Sequence, residues 1–98
     1  MPRYLIVRKF SVTENEMPTV GRRSNRLKRD EFPKIMWEHS HVLVEDDGLV
    51  TTYCVYSAPD EETLRQHAIS LGQHEYRIRE IVGDVTPADF PLEEEAVA

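Results

Sequence analysis

The chain has a single cysteine, Cys54, so an internal disulfide framework is excluded and a reducing, cytoplasmic setting is the expectation. It also lacks any long apolar run: stretches such as Leu5 to Val7 fall far short of the roughly 18 residues of a membrane span. The opening MPRYLIVRKF is too short in apolar residues for a signal-peptide core, and no membrane partner is expected. No Gly-rich phosphate loop, Ser-His-Asp set or Cys-x-x-Cys pair occurs, which removes the commonest nucleotide-binding, hydrolase and thiol-redox readings. Basic residues are scarce after residue 35, where three Lys/Arg face fourteen Asp/Glu.

What is present reads as one soluble domain. Ninety-eight residues, 40% hydrophobic and 31% charged, suffice for one modest core over 1–90, with PLEEEAVA (91–98) as an acidic flexible tail. The basic excess sits early: six Lys/Arg fall in GRRSNRLKRDEFPK. Clustered cations neutralise phosphates, but no aromatic residue interleaves between Arg22 and Arg29. The cluster therefore reads as a solvated helix face, with nucleic acid not expected as a partner.

The elements follow from pattern. RYLIVRKF is a strand in which Tyr4, Ile6, Arg8 and Phe10 alternate with Leu5, Val7 and Lys9. A helix is predicted from about Thr19 to Phe32, on a stripe of Val20, Ser24, Leu27 and Glu31, ended by Pro33. A second strand, Ile35 to Glu45, turns at Asp46-Asp47-Gly48 into the strand LVTTYCVYS. APDEETLRQHAISLG is the clearest helix, with Asp60 as N-cap, Gly72 at its end and Leu64, Ala68 and Leu71 as its stripe. The strand YRIREIVGDV and a docking segment ending at Phe90 complete the order βαββαβ. That order gives an α+β, ferredoxin-like sandwich with a four-stranded antiparallel sheet, both helices on one face and the other face open.

Residues 37–46, WEHSHVLVED, place His39 and His41 two apart, hence on one strand face with backbones about 7 Å apart. Neutral imidazoles ligate nickel, zinc and copper, and two on one face can share an ion. With a hairpin loop of two or four residues, His41 faces Cys54, His39 faces Tyr56, Val42 faces Tyr53 and Ser40 faces Val55. A three-residue loop would separate the histidines from the cysteine; the even loop is the expectation. The functional reading is a His39/His41 site with Cys54 or a carboxylate such as Glu45 beside it. The plainer one is a polar strand face carrying titrating histidines. Cys54 by itself reads as a small buried hydrophobe, with no flanking cation to activate it. His67 lies roughly 60° off the apolar stripe of its helix, a border position. There it is either a cleft residue, as ligand or general base, or a half-buried histidine bonded to backbone. Asp84 and Asp89 flank a Thr-Pro turn, where capping explains them as readily as ligation.

The run SHVLVEDDGLVTTYCVYSAPDEETLRQHAISLG, followed by EIVGDVTPADFP, resembles a family of small actinobacterial proteins classed as a domain of unknown function, with a nickel-binding member. The pattern is a Ser in the second strand (Ser40), C-x-Y-x-A-P-D (Cys54, Tyr56, Ala58, Pro59, Asp60) and a helical His (His67). It covers residues 37–90 well and the first third poorly. The resemblance implies a ferredoxin-like fold, a homodimer and divalent transition-metal binding, nickel included, and assigns no ligand to a numbered position.

These readings lead to a small metal-binding protein rather than an enzyme, with metal ligands His39, His41, His67 and Cys54. The alternative is a dimeric α+β-barrel-like enzyme of isomerase or monooxygenase type, with Tyr56 and His67 lining a pocket for a small organic ligand. A third reading is an interaction module that uses the basic helix as its contact surface.

Overall fold

A computed structural model describes residues 1–93. Its elements are β1 (Arg3–Lys9), α1 (Met17–Glu31), β2 (Met36–Val44), β3 (Val50–Ser57), α2 (Glu61–Ser70) and β4 (Tyr76–Ile81), with short 3-10 turns at Glu14–Glu16 and Pro87–Asp89. All strand pairs are antiparallel and the sheet order is β2-β3-β1-β4, the ferredoxin-like arrangement. The acidic tail expected over 91–98 lies, from residue 94 on, outside the described residues.

The alternation in β1 turns Tyr4, Ile6 and Arg8 inward, where all three are buried. They meet Thr52, Cys54 and Tyr56 of β3 and Ile78 of β4 through the cross-strand register. Leu64 of α2, Ile35 and the half-buried Phe32 close this core from the helix side. Asp60 caps α2 by accepting from the Thr63 amide at 2.8 Å, and Gly72 ends the helix at φ +85°. The first helix is less embedded: none of its residues is fully buried, and Arg22, Arg23, Arg26 and Arg29 all face outward. It starts two residues earlier than predicted because Pro18 fits the first helical turn. The last strand is shorter than predicted, ending at Ile81, and Phe90 is 69% exposed rather than docked. Thr86 and Asp89 instead cap each other's turn, the Thr86 amide donating to Asp89 at 2.7 Å.

One expectation is corrected by the hairpin. Its loop has an odd length: Glu45 and Leu49 still bond through their backbones (2.9 Å), leaving Asp46, Asp47 and Gly48 as the turn. The Gly48 amide donates to the Glu45 carbonyl at 2.9 Å while Gly48 takes φ +83°, the geometry of a three-residue hairpin. The register is therefore shifted by one from the even-loop pairing. Ser40 faces Cys54, His41 faces Tyr53 and Val42 faces Thr52, so Cys54 is not across from His41. A bulge between Trp37 and His39 resets the alternation again. It lets Trp37 stack on Tyr56 on the helix side while His39 stays on the open face.

A methyl group added at Gly48 or at Gly83 meets no atom within 4 Å, but only Gly48 has a positive φ. Gly48→Ala is expected to cost about 1–2 kcal/mol through backbone strain alone, and Gly83→Ala within about 0.5 kcal/mol of nothing. Urea denaturation of the two variants checks the difference.

Candidate functional site

The register divides the four predicted ligands between two faces. On the open face, His39 and His41 are both solvent-exposed, with ring centroids 5.3 Å apart and planes at 79°. Their pairing partners, Val55 and Tyr53, share that face with Leu5 and Val7 of β1 and with Arg77 and Arg79 of β4. The neighbouring Glu38 carboxylate accepts from Arg3 Nε at 2.7 Å, and the Arg3 guanidinium also bonds Asp84. The Arg3 guanidinium holds the Glu38 carboxyl below its usual range, and the contact is solvent-screened. Among the described residues no three His, Cys, Asp or Glu side chains converge on one point. The pair stands without Cys54, Glu45 or His67.

Cys54 and His67 lie on the other side of the sheet. Cys54 is 5% exposed and its Sγ sits 3.4 Å from Thr52 Oγ1. His67 is completely buried with Leu64 and Ala68 rather than half-exposed at the edge of its helix. Its two ring nitrogens are both engaged. Nε2 lies 3.3 Å from the Ser24 carbonyl oxygen of α1, and Nδ1 lies 3.3 Å from Arg8 Nη2. A carbonyl only accepts and a guanidinium only donates, so the imidazole is neutral, with its proton on Nε2. Phe32 packs edge-on to the ring at 5.5 Å, completing a cage in which α1 covers what α2 presents. Burial above all, then the Arg8 charge and more weakly Lys28, push the His67 pKa down to about 4 against a small opposing effect of the Ser24 bond.

Arg8 is the residue that the sequence reading passed over. It is 2% exposed, its Cζ lies 5.4 Å from the Tyr56 ring centroid, and its Nε has no hydrogen-bond partner among the described residues. The signal was available as a cation in the inward register of an otherwise apolar strand. Burial raises the Tyr56 pKa, opposed by the Arg8 charge and by contacts to Ser24 and Arg8, so its hydroxyl stays protonated. Next to this group is a cavity of about 150 Å³ between α1 and the sheet, with Tyr56, Trp37 and Arg8 among its walls. The enzyme alternative placed Tyr56 and His67 in a pocket; Tyr56 lines this one, whereas His67 does not.

The family model described as "Nickel responsive protein SCO4226-like" matches residues 4–81. The chain belongs to this family. The match takes in both helices, β2 to β4 and β1 from Tyr4 onward, so it reaches into the first third of the chain and ends with β4. No curated protein matches the chain. No helix among the described residues is long and apolar enough to cross a membrane.

The His67 environment sets a pH dependence. Its pKa is lowered from 6.5 to about 4 on folding, so between those values the unfolded chain binds a proton that the folded chain refuses. Stability is therefore flat above that window and falls as pH drops through it, by about 2 kcal/mol between pH 7 and pH 5. Urea unfolding at the two pH values checks this. His67→Gln, which does not titrate, is expected to lose most of the difference, and an equal drop in the variant would contradict the assignment.

Proposed function

We propose that the chain binds a divalent transition-metal ion, nickel foremost, through His39 and His41, acting as a binding protein in the cytoplasm rather than as an enzyme. The observation that carries this reading is the spacing of the two rings. With a metal–nitrogen distance of about 2.1 Å, two imidazoles on one ion have centroids roughly 4.5–6.4 Å apart. The pair at 5.3 Å falls inside that interval without rearranging the strand. The donor set also fits, because imidazole nitrogen suits nickel, and the family's description points to the same element. Both rings are exposed, so an ion reaches them without opening the core.

Two nitrogens fill only part of a coordination sphere. Water and groups from a second copy of this chain supply the remainder in our reading, which makes the open face the homodimer interface. Partial exposure of Leu5 and Val7, with Tyr53 at 36% and Leu43 at 42%, supports a covered face.

Cys54 and His67, on the helix side, are not part of the proposed ion site: the sheet intervenes, and both His67 nitrogens are already used. The enzyme alternative is weakened for the same reason, since the cavity receives no titrating base from His67.

Anaerobic calorimetric titration with Ni²⁺ tests the proposal. The His39→Ala/His41→Ala variant is expected to bind at least about a hundredfold more weakly, some 2.7 kcal/mol, with its thermal stability unchanged. Undiminished binding by that variant would remove the site. Sedimentation velocity is expected to give twice the 11.4 kDa chain mass, and a monomer with nickel bound would refute the shared interface.

A further inference from the structure

The least explained group in the core is a charge. A guanidinium stays protonated at any working pH, and burying one without an anionic partner is costly. Arg8 is buried in that state. Its Nη2 donates to a neutral histidine, its Nε donates to nothing among the described residues, and it also neighbours the Tyr56 side chain. The ion pairs among the described residues involve Arg3, Lys9, Arg29 and Arg65, and none involves Arg8. The sequence therefore keeps a bare cation where apolar residues flank it on the strand, at Tyr4 and Ile6.

Arg8 is also one of the residues lining the cavity of about 150 Å³. Arg8, Ser24 and Ser40 are among its lining residues with Trp37, Val42 and Tyr56, and the surface they present to it is almost wholly apolar. Trp37 is fixed there by its stacking on Tyr56 and by its Nε1–H donating to Ser40 Oγ at 2.9 Å. A mostly apolar cleft with one buried, unsatisfied cation is how proteins hold small organic anions. A space of about 150 Å³ accommodates a body the size of benzene. Water filling the cavity would leave the charge uncompensated. A phosphate dianion would need more donors than one guanidinium and two hydroxyls, and its environment here would be too apolar.

We propose that the cleft between α1 and the sheet binds a small apolar monocarboxylate, its carboxylate on Arg8 and its body against Trp37 and Tyr56. His67 then acts as a positioning residue: held by the Ser24 carbonyl, it accepts from Nη2 and orients the guanidinium. This site lies on the opposite face of the sheet from His39 and His41, and it does not depend on the metal.

The test uses benzoate, with benzamide as its neutral counterpart and inorganic phosphate as a second anion. Trp37 is the only tryptophan and reports occupancy through its emission. Benzoate is expected to change that emission saturably and to raise the melting temperature. Benzamide should bind at least about tenfold more weakly, and phosphate should give no saturable response. Arg8→Met, which removes the charge at similar volume, should remain folded by circular dichroism and lose the benzoate response. Gly21 lines the cavity, and a Cβ there meets nothing within 4 Å. Gly21→Leu should therefore fill the space, keep the helix and abolish binding with Arg8 intact, while His39→Ala/His41→Ala should bind benzoate normally. The proposal is overturned by a silent wild type, by benzamide matching benzoate, or by a folded Arg8→Met that still responds. If Arg8→Met does not fold, Gly21→Leu decides: a retained benzoate response overturns the site, and a lost one supports it.

Discussion

The turn that joins β2 to β3 governs the chemistry of both sheet faces. Side chains on a strand alternate, so a shift of one residue exchanges every group between faces. Gly48 at φ +83° closes a three-residue turn, and that odd length sends Ser40 and Val42 toward the helices and His39 and His41 away from them. The bulge after Trp37 then reverses the alternation once more and stacks the indole on Tyr56, on the helix side of the sheet. An exposed imidazole pair and an indole-walled cleft consequently arise from one nine-residue strand. The two sites share a scaffold and no side chain.

Beneath the helices, the energetic problem is the Arg8 charge. Its compensation is incomplete: a neutral imidazole and an aromatic face each stabilise a cation less than a carboxylate does. Burial first, and the same charge second, depress the His67 pKa and keep that ring neutral, which in turn leaves Nδ1 free to accept from Arg8. The arrangement is self-consistent, and it ties β1, α2 and α1 together through Arg8, His67 and the Ser24 carbonyl. Proteins retain such uncompensated groups where function requires them, at a cost to stability.

Much of the fold was legible in the residues. The alternation of RYLIVRKF, the Asp60 cap and the Gly72 stop each act locally, and the element order followed. The functional register was not legible, because Asp46-Asp47-Gly48 is compatible with even and odd loops, and only the observed Gly48 bond to Glu45 separates them. The bulge at Glu38 carries no local signature either. His67 was placed at the border of its helix because the stripe was drawn from apolar residues alone. A histidine with both nitrogens satisfied is as much a core residue as Leu64. Arg8 is visible in the inward register, but its lack of an ion pair among the described residues is a long-range fact that no sequence window contains. Docking of Phe90 failed as an expectation because Thr86 and Asp89 satisfy their own turn and leave the ring outside.

His39 and His41, proposed to hold the metal, and the buried His67 lie on opposite faces of one sheet and belong to separate sites in this reading. Long-range proton–nitrogen NMR of the imidazole rings during nickel titration tests that separation most directly. His39 and His41 signals are expected to broaden together at substoichiometric metal. His67 is expected to keep the pattern of a neutral ring protonated at Nε2 throughout. Loss or conversion of the His67 tautomer in step with the other two rings would contradict it.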